Sequence, residues 1–450
     1  DFIASINLGL ILLGFISLLL VFTNNTRLPI IVIGLIASLL TLFITSKTTF
    51  IDKNLIKGVL LDAKRIYNLI SKSKVLILFI FLLYLLSFGP INHPDTSGVY
   101  VGYPYQFWLR NKHFIDGGLH QGFLGMSDFA NLAFIQERNI WFIRVVQAIP
   151  LIPLAGLLES RKTNRLLTFT FLCSPVFIQW LTIGKMLFFG DISIAITYLI
   201  WLRYKNIKCL YNLIFVILVS LCFKISSLII ILPIFLHLIT TLISSKISKY
   251  QILTALQKEN ILRLVIISFC FLSIFVIFFY RFKVTGNPFY PLYNSIFLPG
   301  DLQLENFERY IRGFLRKELF PLSLIFPVGI SSIGIVMGHA TGVSLISIVI
   351  IKLRKSEFLT DAKVLVGFIQ IVLLLLFCQG RADYYGCPAI LLIAGNRFLD
   401  SKEFSTNLVY SKKMIVRRIF IIAFLSQLLI FIPLSFLSIH QSIHSLLNYN

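Results

Sequence analysis

Long apolar runs separated by short polar stretches extend over the whole chain. A helix needs about 20 apolar residues to cross a bilayer, and these runs predict thirteen helices. They cover residues 2–22, 28–46, 75–89, 140–158, 166–182, 188–202, 209–222, 225–244, 264–280, 321–351, 364–378, 386–398 and 419–437. The run at 321–351 is broken by GHATG and is either one kinked helix or two half-helices. The pattern predicts an all-α, polytopic transmembrane helix bundle.

The composition agrees with a lipid environment. Of the 450 residues, 57% are hydrophobic and only 13% are charged, and the mean hydropathy is +0.87. A soluble globule needs more polar surface than this chain supplies. The lipid bilayer is therefore predicted to be the main solvent of the protein.

The net charge of +22 takes its meaning from where the cations lie. If successive loops alternate between the two faces of the membrane, one set of loops holds 27 of the 41 Lys and Arg residues. That set comprises residues 47–74, 159–165, 203–208, 245–263, 352–363 and 397–418. Because Lys and Arg favour cytoplasmic loops, the N-terminus is predicted to be cytoplasmic and the C-terminus external. This predicts a multi-pass inner-membrane protein, and the charge does not indicate nucleic acid as a partner.

Two segments on the external face are too long to be simple connections, namely residues 90–139 and 281–320. Loops of more than about 15 residues in a compact protein usually carry function. Each segment contains an amphipathic stretch that predicts an interfacial helix. The stretches are the aromatic residues Tyr100, Tyr103, Phe107 and Trp108 in the first segment, and residues 306–317 in the second.

Asp95 lies in the first external segment, in the stretch NHPDT directly after the third predicted helix. In a partly desolvated cleft the pKa of a carboxylate rises, so that it can take a proton from an acceptor hydroxyl. Asp95 is therefore the candidate catalytic base. The alternative is a solvated aspartate that caps the following helix.

Other ionisable residues lie on the same face. His120 belongs to the glycine-rich turn DGGLHQG, where backbone can approach a ligand and a histidine can donate to phosphate. Lys185, Asp191 and Lys224 lie at the outer ends of apolar runs, where burying a charge is expensive. The alternatives are that the histidine is incidental, that the lysines extend to lipid phosphates, and that Asp191 caps a helix.

Two arginines add positive charge to this face. Arg281 opens the second external segment, whose glycine and prolines predict a turn-rich backbone. Arg381 lies in the last external turn, GRADYYG, and its guanidinium suits bidentate binding of phosphate. Pairing of Arg381 with Asp383 is the structural alternative.

In their order along the chain, these residues resemble the GT-C superfamily of polytopic glycosyltransferases, and in particular its bacterial members. The resemblance is carried by Asp95-Thr96 with Tyr100 and Trp108, GLH at 118–120, Asp191, Lys224 before ISS, TGNPFYP at 285–291, and Arg381 with Tyr385-Gly386. It implies a catalytic module at residues 75–398. Residues 1–74 would add two helices and a basic cytoplasmic loop, and residues 399–450 a basic loop, the last helix and an outer tail.

The resemblance also implies a function, the transfer of a sugar from a polyprenyl-phosphate donor to a glycan, lipid or protein acceptor. Asp95 would be the catalytic base, and Lys224 and Arg381 would hold the lipid phosphate. The remaining substrate-binding residues would be His120, Asp191 and Arg281.

Metal dependence is left open by the same resemblance. Many relatives carry a paired acidic motif, whereas Asp95 has no adjacent carboxylate. His93, Asp116 or Asp191 would have to replace the missing partner. No cofactor is required by this reading, and a divalent cation stays an open alternative.

Three other functions compete with this reading. A transporter or flippase of lipid-linked sugars would need a pathway open to both faces, whereas the unusual polar residues are predicted on one face. A polymerase of surface glycan would also act externally, on a polymeric acceptor. An inactive homologue that serves as an assembly subunit is the third alternative.

Overall fold

The computed structural model describes residues 2–47, 99–111, 119–137, 142–160, 187–244, 260–290, 361–377 and 386–395, with short stretches within 60–85, at 172–173 and 297, and within 418–444. In this part of the chain every long regular element is a helix and no strand is present. The predicted all-α class is confirmed for these residues.

The helices are numbered here in chain order over the described residues. They are α1 (Phe2–Phe22), α2 (Ile30–Lys47), α3 (Gly102–Arg110), α4 (Met126–Gln136), α5 (Phe142–Ala148), α6 (Leu151–Ser160), α7 (Leu187–Tyr204), α8 (Ile207–Phe223), α9 (Ser227–Ser244), α10 (Asn260–Thr285), α11 (Ala362–Phe377) and α12 (Gly386–Gly395). A short 3-10 helix, Leu119–Phe123, precedes α4.

Most predicted helices that fall on described residues are found within a few residues of their expected ends. The bounds of α1 are those predicted, and α9 begins two residues later than expected. The predicted helices at 75–89, 166–182, 321–351 and 419–437 lie largely or wholly outside the described residues, so the number thirteen stays a prediction.

One predicted helix, at 140–158, is broken in the structure. It forms α5 and α6, which are separated by a turn at Ile149 and Pro150. Proline disfavours the helical conformation of the residue before it and has no N–H to donate. The carbonyl of Pro150 accepts a hydrogen bond from the Leu154 N–H, so Pro150 stands at the start of α6.

A second difference concerns the end of α10. We expected the external segment to begin at residue 281, but the helix continues to Thr285. It ends at Gly286, whose φ of 75° is accessible to glycine without strain, and the Gly286 N–H donates to the Phe282 carbonyl. Arg281 is therefore a helical residue and not a loop residue.

Helix α1 contacts α2, α4, α7, α8 and α10. Gly14 has no side chain, and the backbone of Met126 in α4 occupies the space a Cβ would need. The Asn7 amide donates to the Ser193 hydroxyl of α7 at 3.2 Å. The N-terminal helix thus packs directly on residues of the predicted catalytic module.

Helices α1 and α10 run in the same direction side by side. Ring contacts occur at two levels, between Phe15 and Phe269 at 5.1 Å and between Phe22 and Phe279 at 5.9 Å. Phe15 of α1 therefore lies at the same depth in the bundle as Phe269 of α10, and Phe22 at the same depth as Phe279.

Two described segments, Phe2–Phe22 and Val265–Thr285, are long and apolar enough to cross a membrane. Helices α9 and α10 also carry large apolar side chains that no other part of the described protein covers. These are Leu228, Leu232, Phe235, Leu236, Ile239 and Ile243 on α9, and Val265, Phe271, Leu272, Phe275, Phe279 and Phe282 on α10. They recur every three or four residues along α9 and, on α10, from Leu272 to Phe282, so each helix presents an apolar stripe.

Candidate functional site

The N-terminus of α4 is recessed within the bundle. The backbone of Met126 lies against Gly14 of α1, whereas Gln136 at the other end accepts a hydrogen bond from the Ile30 N–H at 3.0 Å. An α-helix rises about 12 Å over the eight residues from Gly14 to Phe22, where α1 ends. The start of α4 therefore lies about 12 Å from the end of α1, measured along the α1 axis towards its N-terminus.

Helix α8 ends at the same level. The Phe223 carbonyl, at the last residue of α8, occupies the place that a Cβ on Gly125 would take. The Cys222 thiol also donates to the Cys270 carbonyl of α10 at 3.7 Å. Cys270 follows Phe269, the residue of α10 that contacts Phe15 of α1. Both contacts thus put the end of α8 at the depth of the start of α4.

Lys224 is the residue that follows this recessed helix end. Its side chain is half-buried, and its Nζ donates a hydrogen bond to the Tyr100 hydroxyl at 2.8 Å. The same Nζ lies 4.4 Å from the centroid of the Tyr100 ring. Among the described residues, no Asp or Glu oxygen lies within 4 Å of this ammonium. The Lys224 charge is thus held by an aromatic hydroxyl and not by an ion pair with this part of the chain.

The turn at Leu124 and Gly125, which lies against the end of α8, is held by two buried charged side chains of opposite sign. Arg281 Nη2 donates to the Leu124 carbonyl at 3.3 Å, and the Gly125 N–H donates to Asp128 Oδ2 at 2.9 Å. Arg281 is 1% exposed and Asp128 is 3% exposed. In this structure Arg281 contacts protein backbone, and its predicted role in substrate binding stays a prediction.

Aromatic rings fill the space between α3, α4 and the end of α10. The Phe129 ring lies 6.2 Å from Phe107 and 4.9 Å from Tyr280, and Phe107 in turn stacks on Tyr103 at 6.4 Å. Burial raises the pKa of the Tyr103 phenol, so this residue stays neutral and adds no negative charge to the region.

Asp191 lies in the second turn of α7, which begins at Leu187, and is 1% exposed. It therefore does not cap the helix, and the capping alternative is wrong. The neighbouring Gly190 carbonyl accepts a hydrogen bond from the Ser220 hydroxyl at 3.5 Å, in the last turn of α8. The backbone at Asp191 thus lies at the same end of the bundle as Lys224.

His120 lies in the 3-10 helix Leu119–Phe123, which packs against the end of α10. At Gly122 a Cβ would come within 2.6 Å of the Thr285 side chain and 2.7 Å of the Tyr290 ring. Glycine at this position therefore allows the 3-10 helix to lie close to Thr285 and Tyr290. The expected approach of a ligand to this glycine-rich turn stays a prediction.

Two predicted site residues, Asp95 and Arg381, lie outside the described residues, as does Lys185. Their roles stay predictions. The described residues nearest to Asp95 and Arg381 in the sequence still have known contacts in the bundle. Tyr100, five positions after Asp95, contacts Lys224. Helices α11 and α12 flank residues 378–385, which include Arg381.

Sequence reasoning missed Asp128, Asn131 and the helix that carries them. The first external segment was expected to be a loop with one interfacial helix, but α4 lies within it and is almost wholly buried. Two signals were present, an apolar run from Phe129 to Ile135 that only Asn131 interrupts, and an acidic residue three positions after Gly125. That spacing is typical of a helix start.

Comparisons with protein-family models, with curated proteins and with solved structures found no match for this chain. Within the described residues, no three His, Cys, Asp or Glu side chains lie together in a way that would hold a metal ion. The resemblance to the GT-C superfamily therefore rests on the sequence motifs alone.

Proposed function

We propose that this chain is a polytopic glycosyltransferase with a GT-C fold. It would transfer a sugar from polyprenyl phosphate to an acceptor hydroxyl on the external face of the bacterial inner membrane. The observation that carries the proposal is Lys224, a half-buried ammonium at a recessed helix end with no described carboxylate within 4 Å. Such a cation suits an anionic ligand, and the resemblance implies the phosphate of a lipid-linked sugar.

The membrane part of the proposal is supported by the two long apolar helices and by the exposed stripes on α9 and α10. In water, a continuous stripe of this kind would drive aggregation. Against lipid acyl chains the same side chains cost nothing, so the bilayer is the solvent that fits them.

A spin label on α10 tests this placement. In the protein reconstituted in lipid, a label at Phe275→Cys should be accessible to oxygen and shielded from a water-soluble nickel complex. A label at Asn25→Cys, in the exposed turn after α1, should show the reverse. Equal accessibility of both labels to the nickel complex would contradict a lipid-facing α10.

The phosphate-binding part of the proposal joins Lys224 to Arg381. The Gln370 amide of α11 donates to the Ile230 carbonyl at 2.7 Å, in the first turn of α9, and to the Cys387 sulfur of α12 at 3.6 Å. Because α9 begins three residues after Lys224, the segment with Arg381 joins two helices that meet near Lys224. Both cations would then reach one phosphate.

Replacement of Lys224 should weaken the binding of the lipid phosphate. Lys224→Met keeps the aliphatic stem and removes the charge, and we expect at least a tenfold loss of affinity for polyprenyl phosphate, because a charged hydrogen bond is worth about 1.5–3 kcal/mol. Lys283→Met is the matched control, since Lys283 is exposed near the end of α10. Similar affinities of the two variants, measured by titration in detergent, would remove Lys224 from the site.

The catalytic part of the proposal assigns the base to Asp95. Asp95 lies five positions before Tyr100, and a fully extended chain spans at most about 17 Å over that distance. Since Tyr100 contacts Lys224, the length of the chain allows Asp95 to reach a sugar whose phosphate is bound at Lys224.

In the proposed reaction, Asp95 takes the proton of the acceptor hydroxyl as the oxygen attacks the anomeric carbon. A bond forms between that oxygen and the carbon, and the bond from the carbon to the phosphate oxygen breaks. The phosphate leaves with the lipid, and its charge is stabilised by Lys224 and Arg381. A single displacement inverts the anomeric carbon. His120, Asp191 and Arg281 would orient the substrates.

The proposal is tested by supplying polyprenyl-phosphate sugars with different sugar groups to the purified protein in lipid. A glycosyltransferase releases polyprenyl phosphate and forms a glycosylated acceptor. A transporter would instead move labelled lipid-linked sugar across a liposome membrane without cleaving it. Movement without cleavage would overturn the enzymatic assignment.

A further inference from the structure

We infer that Tyr100 is a positioning residue that holds the Lys224 ammonium in place for an anionic ligand. This inference rests on the proposed function, because it assigns a second residue to the same phosphate site. It is carried by the contacts of Tyr100 with Lys224 on one side and with α4 on the other.

The contact with Lys224 is made in two ways. The Tyr100 hydroxyl accepts a hydrogen bond from Nζ at 2.8 Å, and the face of the ring lies 4.4 Å from the same nitrogen. The hydroxyl gives the bond a direction, and the ring adds a cation–π attraction. Both draw the ammonium to one position.

The Tyr100 backbone is fixed in turn by α4. The Asn131 amide donates to the Tyr100 carbonyl at 3.0 Å, and Asn131 is fully buried. Tyr100 itself is 9% exposed. The Tyr100 backbone is thus anchored to a buried residue of α4, and its side chain is nearly buried.

A lysine needs such support more than an arginine does. Its charge lies at the end of a flexible chain of four carbons, and ordering that chain costs up to about 2 kcal/mol of side-chain entropy. If Tyr100 orders Lys224 before the ligand arrives, binding does not have to meet this cost. The recessed position adds to the benefit, since a partly buried charge interacts more strongly with an anion than a fully exposed one.

The experiment uses Tyr100→Phe, which keeps the ring and removes the hydroxyl. We expect it to bind polyprenyl phosphate about tenfold more weakly than the parent, since a hydrogen bond to a charged group is lost. Binding of the uncharged alcohol polyprenol should be unchanged, because only the anion uses Lys224. Tyr105→Phe, on the exposed side of α3, is the matched control and should match the parent.

A double-mutant cycle separates positioning from a structural role. In the Lys224→Met background, Tyr100→Phe should cause no further loss, because the residue acts through Lys224. An equal tenfold loss in both backgrounds, or a loss for polyprenol as well, would overturn the inference. If Lys224→Met loses affinity and Tyr100→Phe does not, the inference fails alone. If neither variant loses affinity, the proposed phosphate site fails with it.

Discussion

Replacement of Gly14 by alanine is expected to destabilise the protein by about 3 kcal/mol, the upper part of the usual range for overpacking. The added Cβ would overlap the backbone carbonyl of Met126, and a backbone cannot rotate away as a flexible side chain can. Helices α1 and α4 would have to separate. The expected result is a clear fall in the melting temperature of the purified protein in detergent.

Gly9→Ala is the matched control for this prediction. Gly9 lies in the same helix, and no atom comes within 4 Å of the place where its Cβ would be. Alanine also favours a helix more than glycine does, so no loss of stability is expected. Equal melting temperatures for the Gly14→Ala and Gly9→Ala variants would contradict the close packing of α1 on α4.

The Gly14→Ala change is also expected to weaken ligand binding at the Lys224 site. Because α4 carries Asn131 and begins beside the end of α8, separation of α1 from α4 would move Tyr100 relative to Lys224. A purified Gly14→Ala variant should therefore bind polyprenyl phosphate more weakly, even at a temperature where it stays folded.

The helices were predictable because each one depends mainly on the apolar residues of its own segment. An apolar run of sufficient length predicts a helix wherever it occurs, so the bounds of α1 are recovered from the sequence. Errors arose where a single residue outweighed the run. Pro150 divides one predicted helix, and Gly286 ends α10 at Thr285, beyond the predicted end at residue 280.

The site was less predictable because its contacts join residues far apart in the chain. Lys224 was recognised as an unusual charge, but nothing in its local sequence indicates Tyr100, which lies 124 positions away. The burial of Arg281 against the Leu124 carbonyl is hidden for the same reason. Sequence reasoning identified residue types suited to the chemistry, and packing determined which of them meet.

The largest effect on activity is expected from Asp95→Asn. An amide has nearly the size of the carboxylate and cannot accept the proton of the acceptor hydroxyl. General base catalysis contributes about a hundredfold to ten-thousandfold in rate, so sugar transfer should fall by that amount. Binding of polyprenyl phosphate should be retained, because the phosphate is assigned to Lys224 and Arg381.

Asp62→Asn serves as the control for this change. Asp62 lies in a predicted cytoplasmic loop, where its carboxylate is 3.9 Å from Arg65, and it has no assigned role in transfer. Its replacement should leave the transfer rate unchanged. A similar fall in both variants would indicate a general effect of lost negative charge.

The central claim is that Asp95 and Lys224 serve one glycosyl transfer from a lipid phosphate. The most direct measurement is the rate at which the reconstituted protein releases polyprenyl phosphate from polyprenyl-phosphate sugars. We predict transfer with inversion by the parent protein, with at least a hundredfold loss in Asp95→Asn and unchanged turnover in Asp62→Asn. Equal turnover by Asp95→Asn and the parent would contradict the account.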